Sequence, residues 1–249
     1  MPDIVVHASM GAKAFDRLGM DLDREIFRFG LLGPDPYLFY NFFVPPFRHR
    51  ANRYSSVMHR QRTGDFLAAL AKRGKRPEAF AWLAGFLCHY ALDAGTHPYI
   101  IGLAKGDIAI HIAIEHKLDL LDGGPIRIPP FLPPSMRADV EDTIGAIYGW
   151  PDAWEKLEAG HRHMAPFYRL AWDERGALNR ALGWSRRASA LSYKSHACDG
   201  MDLGGFWPLY DAAIEAAVGY VRAAAAFVRG DIDEAGFRAV VGSRSYIEG

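Results

Sequence analysis

The run Glu78 to Asp93 (EAFAWLAGFLCHYALD) is apolar almost all round, yet it ends in a histidine and an aspartate four residues apart. A helix without a polar face must be surrounded by other elements, so this run predicts the central helix of a folded body. It is shorter than the roughly 20 residues that cross a bilayer. No other segment reaches the roughly 18 uninterrupted apolar residues that mark a membrane span. The start, Met1-Pro2-Asp3-Ile4-Val5-Val6-His7, lacks the basic opening and long apolar stretch of a signal peptide. The expectation from these features is a cytoplasmic protein without a transmembrane segment.

Helical periodicity also dominates around this run. Helices are expected over Thr63–Lys72, Asp107–Leu121, Ala138–Trp150, Asp152–His163, Asp173–Tyr193 and Trp207–Gly230. Asp107 is a candidate cap, and Gly123-Gly124-Pro125 is a stop signal. Strand signals are scarce. The fold class expected is all-α, a helical bundle formed as a single domain over residues 1–249. Two long loops interrupt it: an aromatic stretch from Gly33 to Arg53 that includes Tyr37, Phe42, Phe43 and Phe47, and the proline-rich stretch Gly123–Pro134.

The chemistry is concentrated in two helices. His89 and Asp93 leave the same face of the central helix, one turn apart. His111 and Glu115 repeat the spacing on the next helix. Imidazole and carboxylate together suit zinc, and an ionised Asp93 within an apolar helix needs a cationic partner. His97 follows at the same interval, but the residue before proline is steered out of helical geometry, so Pro98 places His97 just beyond the helix end. His116 and Cys88 point off the ligand faces and are read as non-ligating. A single histidine–carboxylate pair at this spacing is commonly an ordinary surface or core pair; two in consecutive helices with His97 between them favour metal.

The remaining totals narrow the function. Lysine plus arginine equals aspartate plus glutamate at 29 each, so the surplus of positive charge typical of nucleic-acid-coating proteins is missing, and no stable nucleic-acid complex is expected. Two cysteines, Cys88 and Cys198, are too few for a disulfide framework or a four-cysteine zinc site. Ten histidines offer the alternative ligand.

The order of His7, Gly33-Pro34-Asp35-Pro36, His59, HYALD (His89 to Asp93), His97 and HIAIE (His111 to Glu115) resembles the bacterial zinc-dependent phospholipase C family, which is related in fold to the P1-type nucleases. The resemblance spans about the first 120 residues; beyond it, only SHACDG (Ser195 to Gly200) and the helix that follows are weakly similar. It implies a cluster of two or three Zn²⁺ ions. Asp35, His59, His89 and Asp93 would hold one ion, and His97, His111 and Glu115 a second. His7 with a bridging Asp93 would contribute to a third. Secreted relatives complete that third site with an N-terminal tryptophan, where this chain has Met1-Pro2, so the number of ions stays open between two and three.

The resemblance further implies hydrolysis of a small phosphodiester or phospholipid substrate, with neighbouring ions clamping an in-line displacement. Asp35 is the first candidate to orient or deprotonate the attacking water, and Glu115 the second. The alternatives are a nuclease or phosphatase of the same fold, or a non-catalytic helical protein with structural zinc. A helical phosphohydrolase built on an adjacent His-Asp dipeptide is disfavoured, since the chain contains no such dipeptide.

Overall fold

The apolar run expected at the centre forms part of one 28-residue helix, Pro77–Ala104, in a computed structural model that describes residues 4–42 and 52–247. In chain order the helices are α1 (Ile4–Leu18), α2 (Arg24–Gly30), α3 (Pro36–Phe39), α4 (Asn52–Arg60), α5 (Thr63–Lys72), α6 (Pro77–Ala104) and α7 (Ile108–Asp122). There follow α8 (Arg137–Val140), α9 (Ala146–Tyr148), α10 (Ala153–Trp172), α11 (Ala177–Leu182), α12 (Arg186–Ser189), α13 (Phe206–Arg229) and α14 (Glu234–Val241). The described residues contain no strand, and the fold is all-α. None of their helices is long and apolar enough to cross a membrane. The amino-terminal Met1-Pro2 and the aromatic residues Phe43 and Phe47 lie outside the described residues.

Helix α6 is wrapped by α13, α2, α1, α7 and α5. Its Trp82, Phe86 and Leu87 are fully buried, and Phe66 of α5 meets Phe86 edge-on at 4.8 Å. Close approach of α2 depends on two glycines. A Cβ on Gly85 would overlap the Phe27 carbonyl oxygen, and one on Gly30 would overlap the Trp82 carbonyl. With neither present, the two backbones touch, and the turn that follows α2 is laid across the middle of α6. That turn carries Asp35.

Three expectations are corrected. Helix α6 does not end before His97; it continues through Pro98 to Ala104. The steric bias before proline is overridden because the segment is packed on several sides, while side chains supply local hydrogen bonds. Thr96 Oγ1 donates to the Leu92 carbonyl at 2.8 Å, and His97 Nδ1 donates to the Asp93 carbonyl at 3.2 Å. The helix expected over Asp173–Tyr193 is broken into α11 and α12. The Asp173 carboxylate accepts the N–H groups of Leu178 and Asn179 and the Ser192 hydroxyl, and Ser185 caps α12. Such local side-chain acceptors compete with a continuous helical ladder. The helix expected to stop at His163 instead runs through Pro166 to Trp172. By contrast, α7 has the expected limits: Asp107 accepts from Ala109 and Ile110, and Gly123 ends it at φ 75°.

Candidate metal centre

Because α6 is unbroken, His89, Asp93 and His97 occupy successive turns of one face and point into the same interior space. All three are at most 1% exposed. His111 and Glu115 project toward them from α7, His7 from α1, His59 from α4 and Asp35 from the turn after α2. These eight side chains form three groups in which one ligand atom per residue lies within 4.8 Å of the others: His7 with His89 and Asp93; Asp35 with His59 and His89; His97 with His111 and Glu115.

The separations are those of ligands around a shared centre. His89 Nε2 lies 3.0 Å from Asp93 Oδ2, His59 Nε2 lies 3.5 Å from the same oxygen, and His59 Nε2 lies 3.4 Å from Asp35 Oδ1. His7 Nε2 lies 3.2 Å from Asp93 Oδ1. Yet none of these buried atoms forms a hydrogen bond, and both ring nitrogens of His7 are likewise without one. Two donors bound at 2.0–2.1 Å to a tetrahedral ion lie about 3.3 Å apart. Atoms at that spacing which aim past one another, buried and unpaired, fit a shared cation, because leaving so many polar groups unsatisfied is otherwise costly. In the second group, His97 Nε2 lies 3.6 Å and His111 Nε2 2.8 Å from Glu115 Oε1.

The surrounding backbone fixes which nitrogen faces inward. His89 Nδ1 donates to the Leu31 carbonyl at 3.0 Å, and His59 Nδ1 to the Ser55 carbonyl at 2.7 Å. Each thereby turns its Nε2 to the interior, the usual orientation of a metal-binding imidazole. Gly33, at φ 53°, lets the chain pass directly against the His89 ring, which a Cβ there would overlap. The His7 ring stacks on His89 at 4.1 Å.

Electrostatics follow from burial and crowding. Burial opposes ionisation of Asp93, but the surrounding histidines, His89 first, outweigh it and hold the carboxyl well below its ordinary range. Burial pushes His97 well down and His111 down to about 3, so both are unprotonated at neutral pH. Burial and the neighbouring His89 lower His7. His59 goes the other way: burial opposes its protonation, but the carboxylates of Asp35 and Asp93 raise it to about 9. A site with lone pairs on most of its histidines and two adjacent carboxylates could hold a cation.

Several supporting residues escaped the reading of the sequence. Asp119, one turn beyond Glu115 on α7, accepts the backbone N–H groups of Val5 and Val6 and the Tyr193 hydroxyl at 2.9–3.1 Å. It anchors the start of the helix that carries His7. The interval from His111 through Glu115 to Asp119 is a visible signal for it. Tyr246 packs its ring 5.2 Å from His59, and its N–H bonds the His59 carbonyl at 2.8 Å; no local pattern marks it. His116 lies outside the cluster and stacks on Tyr193 at 4.0 Å. Cys88 is buried in the packing of α6, with its thiol pushed up by burial. His196 of the SHACDG segment pairs with Asp199 at the surface and does not join the cluster.

A family model described as zinc dependent phospholipase C matches residues 6–162, which contain all eight clustered side chains. Searches of curated proteins and of solved structures return no match.

Proposed function

This chain belongs to the zinc-dependent phospholipase C family, and we propose that it uses the histidine–carboxylate cluster to hydrolyse a phosphodiester bond in a small or lipid substrate. The observation that carries this reading is the set of buried, unpaired atoms on His7, Asp35, His59, His89 and Asp93, spaced as ligands of shared ions. Asp35, His59, His89 and Asp93 would hold one ion, and His97, His111 and Glu115 a second. His7 with Asp93 would hold a third. When bound, the ions supply Lewis acidity at the phosphoryl group and an acidified water.

The protein's own contributions follow from geometry. Asp35 has one oxygen at His59, and its side chain is 13% exposed, so it sits between the buried ligands and the approach from solvent. That position supports a role for it in accepting a proton as water adds to phosphorus and the phosphorus–oxygen bond to the leaving alcohol breaks. The leaving oxygen takes up a proton, giving an alcohol and a phosphomonoester. His111, with a side chain 17% exposed, marks a second open edge. Glu115 lies against both His97 and His111, so its first role is as a ligand, with proton transfer subordinate to it.

The test is metal analysis joined to a substrate panel. Purified protein should carry two or three zinc ions and hydrolyse a chromogenic phosphodiester. His89→Ala and Glu115→Ala should lose that activity. A folded protein free of zinc would overturn the reading, as would unchanged rates in both variants. Parallel assays on phosphatidylcholine and single-stranded DNA separate a lipase-type enzyme from a nuclease. Metal-dependent stability without turnover would mark the zinc as structural.

A further inference from the structure

Trp184, in the turn between α11 and α12, is 83% exposed, and no other large apolar side chain among the described residues is as open. Arg175, Arg180 and Arg187 are exposed in the same short stretch of chain. Arg175 and Arg180 also line a groove of about 630 Å³, together with Lys117, Lys194 and the acidic Glu174 and Asp199. The whole chain has a formal net charge of zero, so this basic character is local.

The edge is tied to one end of the histidine–carboxylate cluster. Arg186 pairs with Asp107, the cap of α7, at 3.2 Å. The next residue, Ile108, is 44% exposed, and His111 follows one turn along the helix. The α12 end of this edge therefore packs on the start of α7, the helix that carries Ile108 and His111.

We propose that the α11–α12 edge docks on an anionic lipid bilayer, with Trp184 entering the interface and Arg175, Arg180 and Arg187 meeting lipid phosphates. Tryptophan favours the bilayer interface because its ring is amphipathic, and each nearby arginine adds electrostatic attraction to an anionic surface. A nucleic-acid groove would also use arginines and an aromatic ring. The exposed Ile108 favours lipid, because an aliphatic side chain can enter the acyl boundary but provides no stacking platform. Docking goes beyond the proposed hydrolysis and does not require it.

Zinc-loaded protein should be sedimented with vesicles of phosphatidylcholine alone and of phosphatidylcholine mixed with phosphatidylglycerol. The mixed vesicles should bind it in a salt-sensitive manner and shift tryptophan emission to the blue. Trp184→Ser should weaken binding about tenfold and abolish most of the blue shift. Arg180→Glu and Arg187→Glu should each weaken it at least about fivefold. All three variants should keep the wild-type rate on a soluble chromogenic phosphodiester. Equal binding to both vesicle types would overturn the proposal, and so would undiminished binding by Trp184→Ser. Trp184-dependent retention of single-stranded DNA without vesicle binding would reassign the edge to nucleic acid. If hydrolysis were absent but vesicle binding followed Trp184, the enzymatic reading would fail and the docking surface would stand.

Discussion

Asp119 Oδ1 accepts the backbone N–H of Val6 at 2.9 Å, so a carboxylate on α7 holds the residue immediately before His7 on α1. Its other oxygen takes the Val5 N–H and the Tyr193 hydroxyl. Three segments distant in sequence therefore meet at one buried side chain, and the position of His7 depends on it.

Asp119→Ala strands two helix-start N–H groups and a phenol. Hydrogen bonds to a charged group contribute about 1.5–3 kcal/mol each, though not additively. The expected loss is about 2–4 kcal/mol in urea unfolding. Zinc content should also fall by the share that His7 helps to hold, while the ions held by the other ligands remain. Full zinc content would show that His7 is not a ligand or that α1 keeps its place by other means.

Gly33→Ala tests the close pass over His89. Its φ of 53° disfavours a side chain, and a Cβ would overlap the imidazole. Overpacking of this kind costs about 1–3 kcal/mol. Because the strain falls on His89, zinc affinity should drop more sharply than stability, as titration with a competing chelator would reveal. Gly85→Ala would strike the Phe27 carbonyl at the α2–α6 crossing, so there the main loss should be in stability.

Removing metal should lower the melting temperature, since Asp93 and its surrounding histidines would keep their burial without their cation. Calorimetry before and after chelation measures the drop. Restoring zinc should reverse it, and magnesium should not, because imidazole-rich sites suit zinc while magnesium prefers oxygen ligands.

The metal-free protein should be most stable near pH 6.5. His111 is lowered to about 3, so its stabilising share is complete above 6.5 and is lost as pH falls from 6.5 toward 3, where the unfolded chain binds the extra proton. His97 acts in the same direction. His59 is raised to about 9, so its share is present below 6.5 and is lost as pH rises toward 9. Bound zinc needs His59 unprotonated, so the alkaline decline should vanish in the zinc-loaded protein. Urea midpoints across this range, with and without zinc, would check both signs.

The helical class, the central place of Glu78–Asp93 and the spacing of His89 with Asp93 and of His111 with Glu115 were legible in the sequence, because helical period and local chemistry act over a few residues. Asp107 as a cap and Gly123 as a stop were legible for the same reason. The course of α6 through Pro98 was not, since packing from other helices overrode a local steric preference. Nor was the break between α11 and α12, where the Asp173 carboxylate competes with the helix. His7, Asp35 and His59 carried little information individually; their meeting arises from the glycine contact of α2 with α6, the Asp119 anchor on α1 and the Tyr246 backbone bond to α4. The sequence alone determined which residues could serve as ligands and the helices that bear most of them. Only tertiary structure decided that all eight converge, because convergence depends on how distant backbones approach and on which imidazole nitrogen each carbonyl turns inward.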